Sequence, residues 1–335
     1  MLVAPQGEQD DPKLGRIEDI RQYGFLRIKD GNQYDNIENI LHEYKEENSI
    51  ADGALVAMDI GFEVIGLPLC SGEITTIGDA TLNMIKKSFL TKDIISAKDW
   101  INEIRGIKEA EDIQKLEIAN ELGIMACNYF QEIVKVGIRE IDIAAKTEAF
   151  FAMNAAGYKG SRYGKAWVQI SSGSKTGREG WFCGLVSESR SIESGDMVML
   201  EMGAVVDGYW CDLTSVCVAG DVSPKQQEIM DIVKEAQLRA IKGMKPGAIA
   251  KDIYQIAMDY ISSKGYGDNY VHGLGHGLGF NYHEAVPALG PSSEDVLEEG
   301  MVMSCEPGIY FNEDFGVRWE SNILITAIGS KVLGE

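Results

Sequence analysis

A long amphipathic helix is the clearest element that the pattern of apolar and polar residues predicts. Between residues 109 and 137, apolar or small residues recur at intervals of three and four, which keeps them on one helix face. We predict that this helix begins at Glu109 and that Gly137 is its C-cap. The inward positions are Ile113, Leu116, Ala119, Gly123, Cys127, Phe130 and Val134.

The residues before this helix mix short apolar runs with helical stretches, and the boundary is expected near residue 105. Residues 54–60 predict a buried strand, and residues 84–90 predict part of a helix. His42 lies among charged residues, so we expect it on a solvated helix face. This part of the sequence is compatible with an α/β domain and carries no recognisable catalytic motif.

A short internal repeat marks the rest of the chain. Each copy consists of a glycine turn, an amphipathic helix and a Gly-Tyr exit. The matching positions are Gly137, Asp142-Ile143 and Gly157-Tyr158, then Gly247, Asp252-Ile253 and Gly265-Tyr266. The repeat predicts two similar αβ units that face each other, with a cleft between them as the natural place for a site.

A β-hairpin is predicted around Asp207-Gly208, because Asp-Gly between two β-rich runs is a strong hairpin signal. A two-residue turn there places Glu201 opposite Thr214. Side-chain alternation then puts Glu201 and Asp212 on the same face, as diagonal neighbours. If that face is buried, the two carboxylates raise each other's pKa unless cations lie between them. An edge hairpin with this face in solvent is the alternative.

Two more glutamates lie in strand-like segments. Residues 301–306 form an apolar run that ends at Glu306, just before a Pro-Gly turn. Residues 316–325 predict a further strand, and alternation puts Arg318, Glu320 and Asn322 on one of its faces.

Three of the four histidines fall within twelve residues, at His272, His276 and His283, and Glu284 follows directly. Four glycines are interleaved with them and allow the backbone to take unusual dihedral angles. A satisfied core histidine is the usual explanation for a single histidine, but it fits three with this spacing poorly. We therefore expect a functional site here.

Composition narrows the class of protein. The 335 residues are 45% hydrophobic and 25% charged, and 52 acidic against 31 basic residues give a net charge of −21. This charge disfavours binding to nucleic acid and to anionic membranes. Apolar runs are too short for a membrane span, and the N-terminus lacks a signal-peptide pattern. Six scattered cysteines without a CxxC pair are expected to be reduced thiols, so we predict a cytoplasmic protein.

The charges of the candidate residues suggest a binding site for metal ions. Four carboxylates and one neutral imidazole, from Glu201, Asp212, Glu306, Glu320 and His276, carry four negative charges. Two divalent cations would neutralise this set. A ligand set rich in oxygen with one nitrogen suits manganese, cobalt or iron, with zinc as a further candidate. Two such ions can activate water at neutral pH and polarise a carbonyl group, which is metal-assisted hydrolysis.

At these residues the sequence resembles the pita-bread metallopeptidases, which include methionine aminopeptidases, aminopeptidase P and Xaa-Pro dipeptidase. Their ligand order is Asp, Asp, His, Glu, Glu, and the matching order here is Glu201, Asp212, His276, Glu306, Glu320. The Glu-Pro-Gly-Ile-Tyr of residues 306–310 and the Gly-Val-Arg-x-Glu of residues 316–320 also match. The spacing of the three histidines is similar to that of the proline-peptidase branch. The resemblance covers residues 105–330.

The resemblance implies an α+β protein with a C-terminal pita-bread (creatinase/aminopeptidase) fold in residues 106–335 and a smaller N-terminal α/β domain in residues 1–105. It implies a homodimer that cleaves Xaa-Pro or related bonds in short peptides. It also implies that two divalent metal ions are bound by Glu201, Asp212, His276, Glu306 and Glu320. Glu306 would take a proton from the attacking water, and His283 would donate a hydrogen bond to the tetrahedral intermediate. His272 would line the substrate pocket, and Arg318 would face the substrate carboxylate or orient ligands.

Four departures from the family pattern concern the site. Glu201 replaces the usual first Asp and reaches about 1.5 Å further. The Asp-x-Thr-Arg-Thr motif is changed at residues 212–216, and the usual substrate-binding histidine is missing from residues 178–184. Phe280 and Tyr282 stand where the branch prefers aliphatic residues.

Two alternatives stay open at this level. One is an enzyme of the same fold that hydrolyses a small C–N substrate, or acts as a lyase, with an altered metal site or none. Residues 178–184 and Glu201 favour it. The other is an inactive binding module, whose acidic charge would suit a basic partner. The retention of five ligand-capable side chains favours the metallopeptidase.

Overall fold

The computed structural model describes residues 1–5, 17–24, 31–58, 78–181 and 187–335. By internal contacts, the described residues divide into a first unit that ends at Ile101 and a second that runs from Asn102 to Glu335. The four cysteines of the described residues are free thiols, as expected, and Cys70 and Cys183 lie outside them. None of the described helices is long and apolar enough to cross a bilayer.

The first unit pairs short parallel strands and packs helices beside them. Its elements are β1 (Leu2–Pro5), β2 (Ile20–Tyr23), α1 (Gln33–Glu47), β3 (Val56–Met58), α2 (Asp79–Phe89), β4 (Ile94–Ser96) and α3 (Lys98–Gly106), the last of which continues into the second unit. Strand β1 pairs with β2, and β3 pairs with β4.

Two local predictions in this unit have different outcomes. The helix predicted over residues 84–90 is confirmed by α2, which ends at Phe89. The buried strand predicted over residues 54–60 is wrong: β3 has three residues, none of them buried, and the preceding Leu55 is 72% exposed. An apolar run does not by itself determine burial, because burial depends on what packs against the strand. Within the described residues, β3 has one neighbouring strand, β4. Asp59 and Ile60 lie outside the described residues. His42 lies on α1, as expected, but is half-buried.

The second unit contains five helices and three sheets within the described residues. Its helices are α4 (Ala110–Ile133), α5 (Glu140–Ala155), α6 (Ser174–Arg178), α7 (Pro224–Gly243) and α8 (Ala250–Ser263). Its first strands are β5 (Gly164–Ser172), β6 (Met197–Val206), β7 (Tyr209–Val218), β8 (Gly275–Gly277) and β9 (Glu284–Leu289). The others are β10 (Val302–Cys305), β11 (Gly308–Tyr310), β12 (Gly316–Arg318), β13 (Ser321–Thr326) and β14 (Gly329–Val332). The sheet orders are β5-β6-β7, β14-β13-β10-β8-β9 and β11-β12.

The long helix predicted from Glu109 is α4, with Glu109 as its N-cap. Leu116, Ala119 and Phe130 are fully buried on its inward face. The predicted end at Gly137 is wrong, because the helix stops at Ile133 and the backbone at the C-cap is already extended. Gly137, with φ +90°, instead forms the following turn and donates its N–H to Ile192 O.

The internal repeat is confirmed, because both copies make equivalent contacts. Gly137 N–H donates to Ile192 O, and Gly247 N–H donates to Leu297 O, each at 2.8 Å. The two glycines have φ values of +90° and +84°, which favour glycine. Each copy of the repeat belongs to one half of the second unit. A large apolar core lies within each half, one around α4 and α5 and the other around α7 and α8.

The predicted hairpin register is confirmed. Glu201 lies opposite Thr214, and Asp207 and Gly208 both have positive φ, as a type I′ turn requires. Strand β6 is central, between β5 and β7, and Glu201 and Asp212 are 4% and 2% exposed. The solvent-facing alternative is therefore excluded.

The strand predicted over residues 316–325 is interrupted. Strand β12 pairs with β11, whereas β13 pairs with β10 and β14. The chain passes from one sheet to another at Trp319 and Glu320, which a periodic pattern along one segment cannot reveal. The break places Glu320 between two sheets, beside the carboxylates of the hairpin.

Candidate metal centre

Buried carboxylates from both halves of the second unit converge on one point. Glu201, Asp212 and Glu320 each offer a ligand atom within 4.8 Å of the others, and His276 and Glu306 form a similar group with Glu320. Asp212 also groups with His276 and His283. The structure therefore brings all five sequence-predicted metal ligands into one centre.

Thr214 connects two of these carboxylates. Its Oγ1 lies 2.7 Å from Glu201 Oε2 and 2.7 Å from Glu320 Oε2, and it accepts a hydrogen bond from Arg318 Nε at 2.8 Å. One hydroxyl hydrogen serves only one carboxylate at a time. Because Glu201 also accepts hydrogen bonds from Arg318 and Tyr282, Glu320 is the carboxylate that lacks a donor when Thr214 donates to Glu201.

The guanidinium group of Arg318 donates hydrogen bonds to neighbouring groups of the protein. Nη2 donates to Glu201, Nη1 donates to Gly180 O at 2.6 Å, and Nε donates to Thr214. The residue is only 2% exposed, although it lines a pocket at this centre. These bonds favour the orientation of ligands over contact with a substrate carboxylate.

Tyr282 caps the hairpin carboxylates from the histidine-rich loop. Its hydroxyl lies 3.0 Å from Glu201 Oε1 and 3.2 Å from Asp212 Oδ1. The ring passes so close to Gly203 that a Cβ there would meet it at 2.7 Å, so glycine is required. The same tyrosine that departs from the family pattern thus contacts, through its hydroxyl, the first two predicted ligands.

The direction of the pKa shift differs among the carboxylates of the centre. Burial and the neighbouring carboxylates raise the pKa of Asp212 and of Glu320 well above the ordinary value. Burial also opposes ionisation of Glu201, but the Arg318 guanidinium and the hydrogen bonds from Thr214 and Tyr282 outweigh it and lower its pKa. Without a cation, burial and mutual repulsion therefore favour the protonated forms of Asp212 and Glu320.

The ring of His276 is oriented for ligation. Its Nδ1 lies 3.0 Å from Gly277 O, which makes it the protonated nitrogen. Nε2 then carries the lone pair that could bind a metal ion. This atom lies 3.3 Å from Asp212 Oδ2 and 3.6 Å from Glu306 Oε1. The His283 ring centroid is 4.2 Å from that of His276.

His272 and Glu306 lie on the walls of the same pocket. His272 Nδ1 donates to Gly273 O at 2.7 Å, which leaves Nε2 to accept from the Tyr310 hydroxyl at 2.9 Å. Burial lowers the pKa of His272, which favours its neutral form. The half-buried Glu306 accepts a hydrogen bond from Ser304 Oγ at 3.0 Å.

The centre opens into a pocket of about 240 Å³, which we call the inner pocket. It is lined by Trp181, Glu201, Asp212, His272, Gly273, Gly275, His276, His283, Glu306 and Arg318. From the stretch where the family's histidine is missing, Gly180 contacts Arg318 and Trp181 lines the wall. Phe182, Cys183 and Gly184 lie outside the described residues.

The residues present fit divalent cations. Glu320 Oε1 is buried without a hydrogen-bond partner, as few buried polar atoms are. Oxygen ligands with one imidazole nitrogen suit hard or borderline divalent ions. A cation would also offset the burial and the repulsion that raise the pKa of Asp212 and Glu320.

Sequence reasoning missed two roles in this centre. From the sequence, Tyr282 is only a departure from the family pattern, and Asn322 is only a neighbour of Glu320 on a strand face. Asn322 Nδ2 donates to Asp212 O at 2.7 Å and its Oδ1 accepts from Asp212 N–H at 2.9 Å, which fixes β13 against β7. Its position two residues after Glu320, on the same predicted face, was the available signal.

Comparisons with known proteins concern the family and the fold. The model of metallopeptidase family M24 matches residues 114–327. The chain is 36% identical over 289 residues to the Xaa-Pro dipeptidase of Pyrococcus furiosus, covering 86% of this chain and 80% of that protein. The structure of the prolidase from Pyrococcus furiosus superposes with a TM-score of 0.78 and 31% identity, covering 99% of this chain and 86% of that chain.

A more distant structure supports the fold alone. The X-Pro aminopeptidase of Thermotoga maritima MSB8 has a TM-score of 0.80 at 23% identity, and the match covers 99% of this chain and 84% of that chain. Together these similarities confirm the predicted pita-bread fold and the resemblance to the proline-peptidase branch.

Proposed function

Because the chain belongs to metallopeptidase family M24, we propose that it is a metal-dependent exopeptidase that cleaves Xaa-Pro or related bonds at the N-terminus of short peptides. The observation that carries the proposal is the convergence of five ligand-capable side chains on one buried centre. The 36% identity to an Xaa-Pro dipeptidase supports the choice of substrate.

We propose that Glu201, Asp212, His276, Glu306 and Glu320 hold two divalent ions. Asp212, His276 and Glu320 each belong to two of the three candidate ligand groups, which supports two neighbouring ion positions that share this centre. Manganese, cobalt and iron suit the donor set, and zinc is a further candidate. When bound, such ions supply Lewis-acid polarisation of the scissile carbonyl and activation of water at neutral pH.

The remaining groups would act on the substrate. Glu306, half-buried at the pocket wall, would take the proton of the attacking water. His283 would donate a hydrogen bond to the tetrahedral intermediate, and neutral His272 would line the substrate site. Arg318 would orient Glu201 and Thr214, since its donors are used there.

We also propose that the protein acts as a homodimer in the cytoplasm. The net charge of −21 argues against nucleic acid and anionic membranes as partners. Size-exclusion chromatography with light scattering tests the dimer, and a single-chain mass across micromolar concentrations contradicts it.

The decisive experiment measures metal content and turnover together. Protein stripped of metal, incubated with Mn²⁺ or Co²⁺ and dialysed, is expected to hold two ions per chain by elemental mass spectrometry and to hydrolyse alanyl-proline. His276→Ala should lose both properties. His42→Ala is the matched control, because His42 lies on α1 in the first unit, whereas the five candidate ligands belong to the second unit. Loaded protein that cleaves no Xaa-Pro peptide overturns the proposal and favours the C–N hydrolase or the binding module.

A further inference from the structure

Two of the predicted metal ligands lie at the ends of neighbouring strands. Glu306 directly follows β10, and Glu320 directly precedes β13. These strands pair in antiparallel register, and the pairing ends at Cys305 and Ser321. Because both glutamates lie beyond that last pair, the sheet alone does not fix their separation.

A side chain of α7 contacts the backbone at both strand ends. Gln237 is 4% exposed, and its Nε2 donates to Cys305 O at 2.8 Å and to Trp319 O at 3.2 Å. Cys305 immediately precedes Glu306, and Trp319 immediately precedes Glu320. One buried amide group thus holds the backbone beside both glutamates.

A glutamine amide suits this bridge because its nitrogen carries two hydrogens. Each of the two carbonyl oxygens can accept one of them, and a longer contact of 3.4 Å reaches Ser321 Oγ. Burial strengthens such bonds, because the local dielectric constant is low. A side chain of equal length without the two donors would leave the strand ends unconnected at this point.

The helix that carries Gln237 is itself held against this region. One turn before it on α7, Lys234 Nζ lies 5.1 Å from the centroid of the Trp319 ring. One turn after it, Ile241 O accepts a hydrogen bond from Ser330 Oγ of β14 at 2.9 Å. These contacts on either side keep the Gln237 amide at the strand ends.

The backbone of each glutamate is otherwise bound to a different part of the centre. Glu306 N–H donates to Leu274 O at 2.8 Å, within the histidine-rich segment. Glu320 N–H donates to Thr214 O at 3.3 Å, on the hairpin. Neither bond relates one glutamate to the other, whereas the Gln237 amide does.

We propose that Gln237 is a positioning residue of the metal centre, which sets the separation of Glu306 and Glu320 by binding the backbone beside each of them. The inference rests on the proposed function, because it concerns ligands of the proposed ions. A metal ion requires its ligand oxygens at nearly fixed positions, so a shift of either strand end should weaken metal binding. Gln237 is absent from the described residues that line the inner pocket, so we expect little direct effect on substrate binding.

The test compares Gln237→Met with Gln226→Met by calorimetric titration of Mn²⁺ into metal-stripped protein. Methionine has a similar shape and removes the amide donors. Gln226 is the matched control, because it also lies on α7, is 7% exposed and donates its amide to Gly195 O at 2.8 Å. Gln237→Met should weaken Mn²⁺ binding by about 10- to 100-fold, whereas Gln226→Met should bind Mn²⁺ as the wild type does.

Further readouts separate positioning from a general structural role. The visible absorption of Co²⁺-loaded protein reports the coordination of the ion, and its bands should change in Gln237→Met but not in Gln226→Met. With saturating Mn²⁺, kcat for alanyl-proline should fall by about tenfold in Gln237→Met while KM changes little. Gln237→Asn keeps the amide but draws it back by about 1.5 Å, so it should also weaken Mn²⁺ binding.

The outcomes separate this proposal from the proposed function. Mn²⁺ affinities equal to that of the wild type in both Gln237 variants overturn the positioning role. Equal weakening in Gln237→Met and Gln226→Met shows a general effect of the helix and also overturns it. A wild type that binds no Mn²⁺ removes the metal centre, and the role of Gln237 with it. A wild type that binds Mn²⁺ but cleaves no Xaa-Pro peptide overturns the proposed function alone, because the Mn²⁺ affinities of the variants still decide the role of Gln237.

Discussion

Replacement of Lys108 by methionine should destabilise the second unit through a single buried ion pair. Lys108 Nζ lies 2.6 Å from Glu284 Oε2, and the two side chains are 0% and 5% exposed. Burial lowers the pKa of Lys108, although the Glu284 carboxylate opposes that shift. Removal of one partner leaves a buried charge without compensation.

The magnitude follows from what remains after the substitution. Methionine fills nearly the same volume, so the cavity contribution is small. Glu284 Oε1 keeps its hydrogen bonds from Phe280 N–H at 2.8 Å and Asn281 N–H at 3.2 Å, but Oε2 loses its cation. Breaking a buried pair in this way costs about 3–5 kcal/mol. Because Glu284 follows His283 and anchors this loop, the catalytic rate should fall as well.

Urea unfolding followed by circular dichroism measures the loss of stability. The double variant Lys108→Met/Glu284→Gln should recover more than half of it, because no charge is then left buried without a partner. Lys251→Met is the control, since its pair with Glu294 is exposed and should be worth about 0–1 kcal/mol. A loss below about 1 kcal/mol for Lys108→Met, or strict additivity in the double variant, refutes the reasoning.

Three further predictions concern the metal centre. Asp212→Asn should reduce hydrolysis by at least about a thousandfold and lower the metal content, with an unchanged circular dichroism spectrum; retained activity contradicts the metallopeptidase assignment. Metal-free protein should lose stability as pH rises from the ordinary carboxylate pKa towards the raised pKa of Asp212 and Glu320, because the folded state binds more protons. Thermal melts between pH 4 and 8 should show this fall, and saturating Mn²⁺ should remove it. Glu201→Asp should keep or tighten metal binding by calorimetry, since its carboxylate withdraws by about 1.5 Å from the Arg318 contact; complete loss shows a centre built for glutamate.

Much of the centre could be predicted because its determinants are local. Asp207-Gly208 fixes a two-residue turn, and the turn fixes the register that puts Glu201 and Asp212 on one face. The positions of the histidines and glutamates then predicted the ligand set, and the repeated glycine turns predicted the two halves. These features depend on backbone geometry over a few residues, so they can be read from the sequence.

Other features depend on residues far apart in the chain, and only the tertiary structure decided them. Lys108 and Glu284 meet across 176 residues, and Arg318 reaches Glu201 across 117. The chain breaks between β12 and β13 because the two strands belong to different sheets, although the alternating pattern continues through the break. Residues 54–58 are apolar but largely exposed or half-buried, because burial depends on which neighbours pack against a segment. Local preference determines which element forms, whereas long-range packing determines what its side chains meet.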